Sequence, residues 1–347
     1  MQAKNHSKMQ AKNLLELYFN FGVSVEICHT SVLLNECLQL LPSEKNFSLL
    51  CDSTTGEGGH SFAFLSQFPN LRVLALDADE AILEKAKFRL SQFQNRVSFF
   101  NSWSDDFYKN YPSEFPKPDA ILFDLGISMF HYVESKRGFS FQTNERLDMR
   151  LNKNEKKTAF DIVNKTSERD LANLIFQFSE EKFSRQISRA ICENRKLHAI
   201  ESAKDLSEII FHAVPKNYRF GKIHPATKTF QALRIAVNSE LERLPLALFS
   251  AFQILRSGGR LAVITFHSLE DRIVKTFFKN VSRTCVCPKT QAVCNCGGVP
   301  RAKLLTKKSI SPSEDEIKIN AASRSARLRV IEKLCDANEN ASLYFVT

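Results

Sequence analysis

An α/β fold with a parallel sheet, interrupted by a helical insert, is what this sequence predicts, and three observations predict it. Short apolar runs, several ending in a carboxylate, alternate with helical stretches. A glycine-dense turn follows the first run, and the alternation then lapses for about a hundred residues before it resumes.

The first run closes on Cys51-Asp52 and leads into Ser53-Thr54-Thr55-Gly56-Glu57-Gly58-Gly59-His60. Glycines this dense permit positive φ and close backbone approach to a ligand, and the helix that follows offers unpaired N–H groups at its start. Leu71 to Leu76 reads as the second strand, with Asp77 at its tip, where a ribose diol would be held. The plainer role for Asp77 is the N-cap of the helix Asp79 to Leu90, which Asp79 fills equally well. Arg96 to Phe100 gives a third strand with Trp103 in the loop beyond it, and Ala120 to Phe123 gives a fourth, ending in Asp124. Asp52, Asp77 and Asp124 therefore stand at the carboxyl ends of strands, where open α/β sheets bind ligands. The glycines fall at Gly56, Gly58 and Gly59 instead of the wider GxGxxG pattern, which favours an adenosyl ligand without a pyrophosphate, such as S-adenosylmethionine.

From Asn144 to about Phe220 nothing reads as a buried strand; Ser167 to Phe178, Glu180 to Arg195 and Ala203 to Val214 have amphipathic helical spacing. A helical run from Thr229 to Leu255, punctuated by Pro245, then leads through Gly258-Gly259 into a fifth strand, Arg260 to Phe266. The expected organisation is a poorly ordered extension over 1–28, a first part of the sheet domain over 29–143, a helical substrate-recognition insert over 144–221, and a second part over 222–347 with a basic, cysteine-containing C-terminal segment.

At 347 residues and 43% apolar composition the chain can bury a large core. It has no apolar run long enough for a membrane span and no signal-peptide pattern, so the expected location is cytoplasmic. Met1-Gln2-Ala3-Lys4-Asn5 returns as Met9-Gln10-Ala11-Lys12-Asn13, which reads as a duplicated start. Residues 272–330 hold thirteen Lys or Arg against three acids, which accounts for the net charge of +10. Such a segment suits a phosphate backbone, with a solvated basic face as the alternative. Of nine cysteines, four cluster at Cys285, Cys287, Cys294 and Cys296. Four thiolates suit zinc, but the CxC pairs depart from the usual CxxC spacing, and reduced thiols in a loop fit equally.

Together the motifs resemble the RsmH family, bacterial S-adenosylmethionine-dependent methyltransferases that modify the 4-amino group of a cytosine in small-subunit ribosomal RNA. The resemblance runs from His29 to Arg329. It is carried by the glycine loop, Asp124-Leu125-Gly126-Ile127-Ser128, Arg137-Gly138-Phe139-Ser140-Phe141 and Leu147-Asp148-Met149-Arg150. Further on it is carried by His224 to Ile235, Val237-Asn238-Ser239-Glu240-Leu241, Phe266 to Arg272 and Arg324 to Arg329. It implies a Rossmann-like class I methyltransferase fold with an inserted all-helical domain. The implied cofactor contacts are Gly58, Gly59, His60, Asp77, Trp103, Asp124 and His131. Trp103 stands where the family has Phe, and Ser128-Met129-Phe130-His131 where it has Ser-Ser-Pro-Gln. The implied partner is 16S rRNA in the small ribosomal subunit, at the decoding region, with the protein a monomer or homodimer.

Methyl transfer from a sulfonium to an amine is an in-line displacement, so alignment and water exclusion dominate. Asp124 is the expected orienting group, with a turn cap as its plainer role, and His267 is the second catalytic candidate, with an ordinary hydrogen-bonding role as the alternative. A base inside a duplex must be flipped or single-stranded, and Phe130, Phe139 and Phe141 are candidate stacking surfaces unless they belong to the core. Lys222, His224, Lys228, Arg234, Arg324 and Arg327 are the expected RNA contacts. Two other classes compete: a nucleic-acid-binding protein that keeps the cofactor fold without catalysis, and a nicotinamide-dependent oxidoreductase, which the missing GxGxxG disfavours.

Overall fold

The computed structural model describes residues 31–42, 47–221, 223–285, 287, 291–293 and 300–335. The expected extension 1–28, together with Lys222, Cys294 and Cys296, lies outside the described residues.

One seven-stranded sheet organises the molecule: β1 (Leu49–Asp52), β2 (Arg72–Asp77), β3 (Val97–Asn101), β4 (Ala120–Asp124), β5 (Arg260–Thr265), β6 (Ala302–Leu304) and β7 (Arg327–Lys333). The order is β3-β2-β1-β4-β5-β7-β6, with β7 antiparallel to both neighbours and the first five strands parallel. Every residue of β1 is buried, as expected of an interior strand covered by helices on both faces. Tyr108, Phe252, Phe277 and Phe278 pack on one face of the sheet, and Leu33, Leu41 and Phe64 on the other. Each such side chain contributes ~1.5–3 kcal/mol on burial.

The first five strands match the runs read from sequence to within a residue or two at their ends. Strands β6 and β7 had no counterpart in that reading. β7 is Arg327-Leu328-Arg329-Val330-Ile331-Glu332-Lys333, and Leu328, Val330, Ile331 and Lys333 are buried. Lys333 points inward because its Nζ donates to the carbonyls of Gln253 (2.9 Å) and Leu255 (2.7 Å). Those carbonyls end a helix, where the dipole favours a cation.

Before the insert come α1 (Leu34–Leu40), α2 (Gly59–Gln67), α3 (Glu80–Leu90), α4 (Ser104–Lys109) and α5 (Met129–Val133). The insert contributes α6 (Ala159–Lys165), α7 (Glu168–Ser179), α8 (Ser184–Asn194), α9 (Ala203–Ala213) and α10 (Lys216–Arg219). Helices α6, α7 and α9 start where Thr158, Ser167 and Ser202 accept the N–H of Asp161, Asp170 and Asp205, caps worth about 1 kcal/mol each. The insert has its own core, built from Phe139 through Ile162, Ile175, Ile191 and Leu206 to Val237. That core takes in the buried face of α11 (Ala226–Asn238), beyond the boundary expected at residue 221.

The helical run Thr229 to Leu255, expected to be punctuated at Pro245, breaks instead at Ser239, whose φ is 50°, and Pro245 lies inside α12 (Glu240–Ile254). Asn238 fixes the break: its amide donates to the carbonyls of Met149 (2.8 Å) and Arg234 (2.9 Å), and its Oδ1 accepts the N–H of Leu151 (2.8 Å). After β5 come α13 (Ser268–Val281) and α14 (Glu314–Ile319). Among the described residues no helix is long and apolar enough to cross a membrane.

Candidate cofactor and substrate site

Strands β1 and β4 are the neighbours at which the strand order reverses, and a cleft opens at their carboxyl ends, as in other open α/β sheets. The glycine turn forms its floor. Gly56 and Gly58 hold φ of 54° and 79°, a left-handed backbone that a side chain would strain. A Cβ on Gly59 would sit 2.1 Å from Ser31 Oγ, so a side chain there requires the Ser31 hydroxyl to turn away.

Asp77 is held by two backbone donors, Gly56 N–H to Oδ2 and Asp79 N–H to Oδ1, both at 2.9 Å. This fixes the carboxylate plane and leaves each oxygen a second lone pair; burial raises its pKa above the ordinary value, against the pull of those two bonds. Trp103 is held too: its Nε1 donates to Glu155 Oε1 at 3.1 Å, and the Arg243 guanidinium lies 4.7 Å from the ring centroid. Arg243 is itself paired with Asp105 at 2.9 Å. A fixed carboxylate, a clamped aromatic ring and a glycine cradle in one cleft fit an adenosyl ligand, with Asp77 for the ribose, Trp103 for the adenine and Gly56 and Gly59 for close backbone contact; Gly58, expected to touch the cofactor, is not in the lining and its Cβ position faces Leu90 and Ala86.

The centre of the cleft is acidic. Asp52 is buried, accepts Ser61 Oγ–H at 2.6 Å, and burial pushes its pKa up to about 6. Asp124, at the tip of β4, donates its N–H to Thr54 Oγ1 at 2.7 Å, while its carboxyl Oδ1 is buried with no hydrogen bond. Burial first, then the neighbouring charges of Asp52 and Glu270, push the Asp124 pKa up to about 8. His60 faces it: Nε2 lies 3.0 Å from the Val32 carbonyl, which requires an N–H there, so in the neutral ring the lone pair is on Nδ1, 3.7 Å from Asp124 Oδ2.

A second pocket shares Asp124, Gly126 and Ile127 with the cleft and is walled by Tyr132, Phe139, Phe141, Phe230 and Phe266. Gly126 makes this possible, because a Cβ there would meet the Phe266 ring at 2.7 Å. The Asp124 carboxyl is thus common to an adenosyl-shaped cleft and an aromatic pocket.

The other residues singled out from sequence fall as follows. His131 reaches the cleft wall, but its Nε2 is bound to Asp79 Oδ2 at 2.9 Å, beside the Arg137 guanidinium that pairs with the same oxygen. Burial alone would raise the Asp79 pKa; the bonds from His131 and Arg137 outweigh it and lower the value. His267 caps α13, accepting the Glu270 N–H on Nδ1 at 3.4 Å, and lines the aromatic pocket, not the cofactor cleft. Its Nε2 is 3.0 Å from Glu270 Oε1 but is off-line for a hydrogen bond, so the contact is one of proximity.

Phe130 is buried under Lys85, whose Nζ lies 4.8 Å from the ring, and so is not one of the stacking walls. Arg234 is not on an outer face: its guanidinium is largely buried, binds Glu240 through both oxygens (2.9 and 2.8 Å), and lines the aromatic pocket. His224 is stacked on Phe141 at 4.6 Å and accepts the Ala226 N–H at 3.2 Å. Lys228 donates to the Glu180 carbonyl at 3.3 Å, and Arg324 and Arg327 are exposed. Cys285 is exposed and Cys287 half-buried; with Cys294 and Cys296 outside the described residues, no four-thiolate set is assembled among the described ones.

Sequence reasoning gave no role to Glu240, Arg243 or Glu270, which line the cleft. The His267-x-x-Glu270 spacing is a capping-box signal, and Glu270 closes it by accepting the His267 N–H at 3.3 Å, taking the Phe266 N–H at 2.8 Å on the same oxygen.

A family model described as the MraW methylase family matches residues 26–334, spanning both halves of the sheet domain and the insert. The chain belongs to that family. It is therefore an S-adenosylmethionine-dependent methyltransferase, as the cleft's residues suit. The protein named ribosomal RNA small subunit methyltransferase H from Treponema denticola is 56% identical over 306 residues, covering 88% of this chain and 97% of that one. Proteins of the same name from Treponema pallidum (44% identical, 88% and 93% covered) and Borrelia turicatae (47%, 89% and 98%) are similarly complete matches.

Proposed function

We propose that the chain transfers the methyl group of S-adenosylmethionine to the 4-amino group of a cytosine in 16S rRNA of the small ribosomal subunit, in the cytoplasm. The observation that carries this reading is the position of the Asp124 carboxyl, with one oxygen unpaired, where the cofactor cleft meets the aromatic pocket. The cofactor supplies a methyl group made electrophilic by its sulfonium.

The aromatic pocket takes the flipped base, with the partly buried Phe141 as a stacking wall. Asp124 Oδ1 accepts a hydrogen bond from the exocyclic N–H of that base, which draws the nitrogen lone pair out of ring conjugation, and then takes the proton lost once the nitrogen is methylated. A carboxyl with a pKa of about 8 keeps that proton at neutral pH. His60 packs beside that carboxyl, with Nδ1 3.7 Å from Asp124 Oδ2. Asp77, Trp103, Gly56 and Gly59 hold the cofactor, and Arg234 with Glu240 fixes one wall between the two pockets.

The test is methyl incorporation from labelled S-adenosylmethionine into small ribosomal subunits, and into naked 16S rRNA, from cells lacking this protein, followed by nucleoside analysis. Label in 4-methylcytidine is the expected result. Cofactor binding without label in either substrate would instead favour the non-catalytic class.

A further inference from the structure

A third cavity lies outside the chemistry described so far. It is a groove between the first turns of α13, which supply Ser268, Arg272 and Lys275, and the segment from Arg324 to Arg327 that opens β7. Phe266, His267 and Ser325 line both this groove and the aromatic pocket, so one layer of side chains separates them.

The groove is basic for a structural reason. Among the described residues its only lining acid, Asp271, is neutralised by Arg329, whose guanidinium donates to both carboxylate oxygens at 2.7 and 3.0 Å. Arg272, Lys275, Arg324 and Arg327 remain, all exposed, above that neutral floor, with Arg327 3.7 Å from the same carboxylate. The fold has thereby sorted the basic segment: Arg329 and the neighbouring Lys333 turn inward and serve stability, and these four cations are left at the groove. Helix α13 adds the positive end of its dipole and the N–H groups of its first turn. Arg272 also contacts Glu180 of the insert at 3.0 Å, with both side chains more than half exposed. Such a pair is worth about 0–1 kcal/mol, so an incoming phosphate can displace the glutamate.

We propose that this groove binds the RNA phosphodiester adjacent to the flipped nucleotide, through Arg272, Lys275, Arg324 and Arg327, while Glu180 occupies Arg272 until the RNA arrives. The inference rests on the base pocket proposed above and adds to it a backbone site one ribose away, with Arg272, Lys275 and the Glu180 latch as its new members. Phosphate contacts fix register on the RNA without reading sequence, whereas the pocket reads the base.

The experiment measures binding of a single-stranded, cytosine-containing oligoribonucleotide to the full chain as a function of KCl, together with methylation of small subunits. The variants are Arg272→Ala/Lys275→Ala, Glu180→Gln and Phe141→Ala. Removing one cation from a phosphate should lower the log–log salt slope by about 0.7 on a single strand. The double variant should therefore show a shallower slope, at least fivefold weaker binding at about 100 mM salt, a raised KM for subunits and an unchanged cofactor affinity. Glu180→Gln should bind RNA more tightly than wild type, and Phe141→Ala should bind more weakly with the slope unchanged. An unchanged slope and affinity in the double variant, beside normal wild-type methylation, would overturn the groove and leave the base pocket standing. A wild-type chain that neither binds nor methylates RNA would remove both.

Discussion

Asp124→Asn should inactivate the enzyme and stabilise it, and the two effects have one cause. In the folded chain burial and two neighbouring carboxylates push the Asp124 pKa from 3.8 to about 8. The folded state therefore binds a proton that the unfolded state has released, so in this window stability falls as pH rises from about 4 to about 8. At 1.36 kcal/mol per pKa unit the full shift sets an upper bound of about 6 kcal/mol. About three of those units fall between pH 5 and pH 8, an effect of about 4 kcal/mol, or roughly 5 °C in Tm for a chain of this size. Asparagine has nearly the same shape and no charge to desolvate. The Tm gap between Asp124→Asn and wild type should therefore widen by several degrees from pH 5 to pH 8.5, as read by thermal melts without cofactor. In the kinetics, the ionised fraction of Asp124 rises from about one tenth at pH 7 to about nine tenths at pH 9, so wild-type kcat/KM should climb nearly tenfold over that range. A Tm gap that does not change with pH, or a flat wild-type profile between pH 7 and 9, would refute the assignment of a buried, proton-accepting carboxyl.

Three further outcomes are expected. Arg137→Met leaves the Asp79 charge buried with only His131 beside it and also removes the bonds to the Arg150 and Leu151 carbonyls (2.7 and 3.0 Å). It should cost about 3–5 kcal/mol, seen as a lower urea midpoint with unchanged slope. Gly59→Ala drives a methyl to 2.1 Å from Ser31 Oγ and should weaken cofactor binding by about 1–3 kcal/mol in calorimetry, with part of the loss recovered in the Ser31→Ala background. Trp103→Ala should weaken cofactor binding about tenfold and leave the affinity for the oligoribonucleotide unchanged.

What was legible in the sequence was what local pattern controls. An interior parallel strand has to be apolar throughout, so a carboxylate closing such a run marks the sheet edge where ligands bind; Asp77 and Asp124 line the cleft there, while Asp52 is buried and bound to Ser61. The glycine turn was legible because the positive φ at Gly56 and Gly58 leaves few other residues possible. Composition misled where charge serves the interior. Arg327 to Lys333 reads as part of a basic tail, yet it forms a strand beside β5, since Leu328 and Val330 alternate with arginines and Lys333 finds two helix-end carbonyls. Periodicity placed Arg234 on a helix but not the face it presents, which depends on Glu240 across a break at Ser239 that no proline or glycine marks.

That break explains why the insert and the sheet domain make one site. If α11 and α12 ran on as a single helix, Glu240 would continue along its axis, and Arg234 and Glu240, six residues apart, would lie on different faces. The left-handed residue Ser239, next to Asn238 bound to the Met149–Leu151 segment, redirects the chain, and the two side chains pair across the break. Arg234 then lines the aromatic pocket from the insert, and Glu240 lines the neighbouring cleft from the sheet domain, joined by two hydrogen bonds. An in-line transfer needs donor and acceptor registered to a fraction of an ångström, and a buried bidentate pair spanning the two pockets supplies that register where a flexible linker between domains would not.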